Sequence, residues 1–294
     1  MINFSQLVIT GILTGSLYAA VAASVVLIFK ATNVVSIAHG QFLSFGALFF
    51  WFCLTVWQIP FWISILLILG ASVLLGFLVE RFAMRPLIGQ PMFAAFLMTF
   101  SLFLAMDGIF QLILKGQAKS LPTFLPKGVW AVSGINIPVD NLVSFFACLL
   151  IFLILTLLFR FTRVGLGMRA TSEDHQLAQS VGIGVKTIFS LIWIISTVVA
   201  AFTGIVIASV TDIHFPLPYI VIKGMIVAIF GGLESLTGAL VGGILLGIIE
   251  NLSAGYLDPL VGGGVQEVAA YVVLLLILVV KPYGLFGLPI IERI

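Results

Sequence analysis

RFTRVGLGMRATSEDHQLAQSVGIGVK, residues 160–186, is a long polar break in a chain that otherwise reads as membrane. It holds six charged residues: Arg160, Arg163, Arg169, Glu173, Asp174 and Lys186. The runs on either side, 141–159 and 187–211, carry no charge. A charged, helix-prone loop between two apolar runs long enough to cross a bilayer predicts a docking surface for something soluble.

The rest of the composition agrees. Apolar residues make up 62% of the chain and charged residues 8%, with a mean hydropathy of +1.29. Soluble domains carry about 25% charged residues, so this chain cannot cover a soluble surface and lipid must be its solvent. In lipid every backbone polar group needs an internal partner, which leaves helical bundles or closed barrels. Long, continuously apolar segments argue for helices rather than alternating barrel strands. The expected fold is therefore all-α, a polytopic transmembrane helical bundle. Net charge is +2 with no basic tract, which argues against nucleic acid. Cys53 and Cys148 lie inside apolar runs and read as packed small hydrophobes. The N-terminus lacks a basic leader region and reads as a retained first span.

A span needs about 20 apolar residues. Candidates are 6–29, 37–57, 60–82, 92–114, 141–160, 187–210 and 265–281. Two shorter pieces, 219–232 and 236–252, are either two short crossings or one re-entrant hairpin, giving eight or nine spans. If both cross, nine of the 13 basic residues fall on one side, which the positive-inside rule makes cytoplasmic. The N-terminus is then periplasmic and the C-terminus cytoplasmic. Asn33 and Ser36 read as N-caps of the second span, and Pro60 opens the third. The outside loop 115–140 contains a small expected hairpin, 129–137, with Gly134 in the turn.

Within the opening stretch, Thr171-Ser-Glu-Asp174 matches a capping box, and Gly182 is the expected left-handed stop. The helix between them is about ten residues, or about 15 Å. Leu177 and Val181 share a face, with Ala178 beside them. Such a helix can lie on the membrane or enter a protein groove. Its mixed charges and small, capped apolar patch favour the groove.

Other polar residues sit within the spans. Asp107 lies in the span 92–114, with Gln111 one turn on. A carboxylate there costs about 2.5–3.5 kcal/mol on insertion scales, so it should face the interior. Its role is either a pathway or gating residue, or an interhelical hydrogen bond. His39 opens the second span as a polar contact or a proton site. No second His or Cys stands at ligand spacing, so no metal or other cofactor is expected. Lys223 and Glu250 lie near span ends, where long side chains snorkel to the interface. Gly11 and Gly15, Gly238 and Gly242, and Gly243 and Gly247 form GxxxG pairs that let helix backbones approach. There is no P-loop, H-E-x-x-H or G-x-S-x-G, so the chain is not expected to be an enzyme.

Several stretches together resemble one family. They are TGSLYA (14–19), FKATNVVSIAHGQ (29–41), ERFAMRP (80–86) and GMRAT (167–171), followed by Ala178 with VGI (181–183). AAFTG (200–204), IFGGLES (229–235), GALVGG (238–243) and KPYGLFG (281–287) complete the set. The chain resembles the LivH-type permeases of bacterial branched-chain amino acid ABC importers over almost its whole length. The resemblance implies a single permease domain over 1–294 in the bacterial inner membrane, with a cytoplasmic coupling loop at 160–186 and a periplasmic loop at 115–140. It implies as partners a second, LivM-like permease, two cytoplasmic ATP-binding subunits and a periplasmic amino-acid-binding protein. ATPase coupling then falls to Arg169, Thr171, Glu173, Asp174, Leu177, Ala178, Val181 and Gly182. The path falls to His39, Asp107 and Gln111. Against the generic coupling signature Glu-Ala-Ala-x-x-x-Gly, only Ala178 and Gly182 match. Similar relatives are assigned to urea or amides, so that cargo is the alternative. A secondary transporter using Asp107 as an ion site is the competing class.

Overall fold

The computed structural model describes residues 4–287 except 123, 127, 133 and 174, and among these leaves out the side chains of residues 31, 132, 173, 175 and 176. In chain order, α1 (Phe4–Thr32) is followed by α2 (His39–Trp51), which continues as a π-turn (Phe52–Val56). Helix α3 (Phe61–Leu78) runs on through a π-turn (Val79–Met84) and a 3-10 turn (Arg85–Leu87) into α4 (Met92–Leu114). The antiparallel pair β1 (Val129–Val132) and β2 (Ile135–Pro138) leads into α5 (Val139–Phe161). Next come α6 (Arg163–Glu173), α7 (His175–Ser180), α8 (Val185–Thr211) and a 3-10 turn (Leu217–Tyr219). Then follow α9 (Ile220–Gly231), α10 (Leu236–Tyr256), α11 (Asp258–Val261) and α12 (Val265–Val280).

Among the described residues, seven helices are long and apolar enough to cross a membrane, and Leu217–Gly231 and Val265–Val280 are shorter apolar helices. The two pieces expected near 15 residues are unequal: α9 has 12 residues and α10 has 21. Their break is a compact turn. Gly232 takes φ +104°, and Ser235 caps α10 by accepting a hydrogen bond from Gly238 N at 2.9 Å. The hairpin forms as expected, with Gly134 at φ +81°. Pro60 stands at the N-cap of α3.

The expected caps of α2 do not form. Ala38 is its N-cap residue, without a side-chain bond, while Asn33 adopts φ +54° and ends α1 instead. Asn tolerates the left-handed conformation better than most residues, and here its backbone N–H closes on Phe29 O at 2.8 Å.

The chain divides into two compact units. Unit 1 is Met1–Val26, Leu125–Phe152 and Ile222–Ile294; unit 2 is Leu27–Phe124 and Leu153–Val221. In unit 2, α8 is the centre, with α2 and α3 packed along it and α4 on α2. Gly46 meets Ala201 of α8, where an added Cβ would lie 2.5 Å from the Ala201 Cα. Helix α4 buries only a narrow stripe that includes Thr99, Phe103, Asp107 and Phe110. Its other faces expose Phe93, Leu97, Leu104 and Leu112. An apolar surface of that extent requires lipid or a partner.

In unit 1, α1 and α10 meet along small residues. A Cβ on Gly15 would lie 2.8 Å from Ile244 Cα, one on Gly243 2.7 Å from Ala19 Cα, and one on Gly247 2.5 Å from Gly15 Cα. These approaches are backbone to backbone, so no side-chain rotation relieves them. Overpacking costs about 1–3 kcal/mol where side chains can shift. Gly247→Leu is therefore expected to exceed that range and lower the melting temperature of the purified chain in detergent, whereas Gly70→Leu, which meets nothing within 4 Å, should leave it unchanged.

The C-terminal KPYGLFG segment closes the other end of this unit. Leu285 N donates to Phe230 O at 2.9 Å and Phe286 N to Gly231 O at 3.0 Å. The last carbonyls of α9, which have no partner within the helix, are thereby satisfied by the chain's tail.

Candidate functional site

The start of α2 reaches three other elements of unit 2 from three consecutive residues. His39 Nε2 shares a hydrogen bond of 2.6 Å with Ser196 Oγ on α8, and its ring lies against Trp193 and Phe42. Gly40 allows Pro218 and Val221 to approach; a Cβ there would lie 2.9 Å from Val221 Cγ1. Gln41 Nε2 donates to Asp107 Oδ1 on α4 at 2.8 Å. Gln111 Nε2 donates to the other carboxylate oxygen, Oδ2. His39, Gln41 and Asp107 are all buried. Asp107 thus faces the interior, with Gln111 on its own face as the four-residue spacing predicts. The partner that spacing does not reveal is Gln41, 66 residues away in sequence. Two amide donors, one from α2 and one from α4 itself, thus satisfy both side-chain oxygens of Asp107.

The polar loop differs from its expected form. Helix α6 already begins at Arg163, and its cap is Thr162, whose Oγ1 accepts from Gly165 N at 3.1 Å. Thr171 is buried inside this helix and its hydroxyl donates to Gly167 O at 2.8 Å, so it is not the cap of a later helix. Asp174, the other end of the expected capping box, lies outside the described residues, as does the Glu173 side chain. The stop is as expected: Gly182 takes φ +84°, Ile183 N donates to Ala178 O at 2.9 Å and Gly182 N to Gln179 O at 3.0 Å. That bond pair is a Schellman motif.

Helix α7 is anchored through one small residue. Ala178 is 2% exposed and packs with Val185 and Phe189 of α8, with Ala170 and Ile183 at the margin. Leu177 and Val181, by contrast, are 65% and 74% exposed. Leu177 and Val181 turn outward together, as their four-residue spacing predicts, while Ala178 beside them turns inward. Arg169 is also exposed, as is Leu166 one turn before it.

Phe189 and Trp193 continue from this anchor into a cleft of about 290 Å³. Its polar wall is Glu80, buried, which takes a two-pronged bond from Arg85: Nε to Oε1 and Nη2 to Oε2, both at 2.8 Å. Elsewhere in unit 2, Lys119 and Ile213 exchange backbone hydrogen bonds of 2.9 Å, tying the segment after α4 to the one after α8.

Unit 1 holds a second polar cluster that overturns the expectation of snorkelling. Lys223 and Glu250 do not reach separately for an interface. Lys223 Nζ lies 3.0 Å from Glu250 Oε1 and 3.1 Å from Oε2, and Tyr18 OH donates to Oε2 at 2.9 Å. Cys53 and Cys148 are buried free thiols.

The family described as "Branched-chain amino acid transport system / permease component" matches residues 7–281. The high-affinity branched-chain amino acid transport system permease protein BraD of Pseudomonas aeruginosa is 26% identical over 306 aligned residues, covering 99% of this chain and 98% of that one. The corresponding LivH protein of Escherichia coli K12 shows the same identity and coverage. Among solved structures, PsaBC from Streptococcus pneumoniae in complex with Fab aligns over 97% of this chain and 94% of that chain, with a TM-score of 0.47 and 14% identity. With a family match running from the first span to the C-terminal turn, this chain belongs to the permease components of branched-chain amino acid transport systems.

Proposed function

We propose that the chain is a membrane subunit of an ATP-driven, binding-protein-dependent importer of branched-chain or other hydrophobic amino acids. The family match over residues 7–281 carries this reading. In it, the chain pairs with a second, LivM-like permease in a bacterial inner membrane. Two cytoplasmic ATPases and a periplasmic binding protein complete the assembly. Both α9 and α10 cross, giving nine spans with the N-terminus outside and the C-terminus inside.

Coupling is assigned to the segment 163–184. Exposed Leu177 and Val181 enter a groove on the ATPase, with Arg169 beside them. Ala178 transmits the motion because it is packed on Phe189, and the same helix carries Trp193 and Ser196 against His39. Alternating access then shifts α8 and the α2 start relative to α4, with the Gln41–Asp107–Gln111 contact as the polar latch. Nucleotide shifts such an equilibrium only by binding the two states differently, and this contact path is where the difference is delivered.

The test is reconstitution of the chain with its partner subunits in proteoliposomes. Leucine uptake is expected to require ATP and the binding protein, and to persist when ion gradients are collapsed. Uptake that follows a proton or Na⁺ gradient and ignores ATP depletion overturns the importer reading in favour of an ion-coupled carrier using Asp107. Uptake of urea or short amides, with leucine excluded, keeps the class and changes the cargo.

A further inference from the structure

A buried ion pair is a poor way to hold a fold, since apolar residues of similar volume often stabilise as well or better. Inside a bilayer the cost is higher, and ionisable groups there mark functional sites by default. Unit 1 nevertheless keeps one at the midpoint of α1. Tyr18 is preceded by about 21 Å of helix and followed by the same. Its hydroxyl meets Glu250 of α10 and Lys223 of α9.

Three details set the cluster apart from a closed structural pair. Glu250 is wholly buried, yet only Oε2 accepts hydrogen bonds; Oε1 lies 3.0 Å from the lysine without hydrogen-bond geometry. The Lys223 side chain keeps 27% of its surface open. Its ammonium also lies 5.0 Å from the Tyr18 ring centre, a cation–π contact that gives the charge a partner besides the carboxylate. One acceptor is thus in reserve and one cation is reachable.

We propose that Tyr18, Lys223 and Glu250 form a station for the zwitterionic head of an α-amino acid. The ligand's ammonium takes Glu250, and its carboxylate takes the Lys223 ammonium and the Tyr18 hydroxyl. One ion pair becomes two, and no net charge enters the membrane. A neutral amide can hydrogen-bond to either partner but neutralises the charge of neither, so the station selects zwitterions over amides. This inference rests on the reading that the chain passes amino acids.

The test uses the complete reconstituted importer. The double variant Lys223→Met with Glu250→Leu removes both charges without orphaning either, and is expected to assemble with its partners and lose at least tenfold in ATP-driven leucine uptake. Uptake within twofold of wild type overturns the station. A second measurement does not depend on the variant's folding. Modification of Lys223 by a small amine reagent, read by peptide mass mapping of the wild-type complex, is expected to slow several-fold with millimolar leucine and not with isocaproamide. Equal slowing by both, or by neither, also overturns it. A wild-type complex that shows no ATP-driven uptake sinks the importer reading instead, and Lys223 protection then decides the station by itself.

Discussion

Leu177→Asp combined with Val181→Asp is expected to leave the chain folded and inserted, and to abolish ATP-driven uptake. Both side chains are largely exposed, and the anchor of α7 is Ala178, which the change leaves alone. Two carboxylates therefore add little cost to the isolated permease. In a protein groove the same carboxylates must be stripped of water without partners, at several kcal/mol each. Since about 1.4 kcal/mol is tenfold in affinity, docking should weaken at least a hundredfold. Co-purification of the ATPase subunits and uptake in proteoliposomes are the two readouts. Ala178→Asp is the contrasting variant: its carboxylate would enter the packed contact with Phe189, so the chain itself should lose melting temperature. Normal assembly and transport by the Leu177/Val181 double variant would remove the docking role from α7.

The second large effect is expected at Asp107. Asp107→Leu leaves the buried Gln41 amide without its acceptor, while the exposed Gln111 amide also loses its partner. A buried orphaned group costs about 1–3 kcal/mol, so the loss at Gln41 should lower the melting temperature. Replacing Gln41, Asp107 and Gln111 together by leucine removes the orphaned amide as well as the carboxylate and should recover most of that loss. If the latch serves the transport cycle, the triple variant will be stable and transport poorly. Asp107→Asn is the finer probe, since it keeps size and one acceptor oxygen. Wild-type uptake by that variant would reduce Asp107 to a packing contact.

What could be read in the sequence follows the range of the interactions. Seven span assignments rest on continuous apolar length, and α1 to α5, α8 and α12 fall within a few residues of the expected limits. The hairpin and the Gly182 stop also depend on neighbours in the chain, and both were legible. The capping box shows where a local rule yields to another local structure. Thr162 caps α6 first, and the helix then runs through Thr171 with Met168 and Thr171 buried. No Glu or Gln follows Thr162 at the third position, so it lacks the signature that drew attention to Thr171. Contacts between distant segments left no such trace. Gln41 with Asp107, His39 with Ser196, and Lys223 with Glu250 join residues on different helices, and only the packing of those helices brings them together. Snorkelling of Lys223 and Glu250 does not occur for this reason: the packing of α1, α9 and α10 gives Glu250 both Lys223 and Tyr18 as partners.

The interleaving of the two units has a consequence for biogenesis. All of unit 2 has been synthesised by Val221, whereas unit 1 begins with α1 and ends with the tail that covers the α9 carbonyls. The glycine face of α1 and the Tyr18 hydroxyl must therefore wait in the bilayer while more than 200 further residues are made before α10 arrives to meet them. That half-made chain presents a groove of small residues and a lone phenol to its surroundings. It is the stage at which an insertase or a quality-control protease would find something to hold.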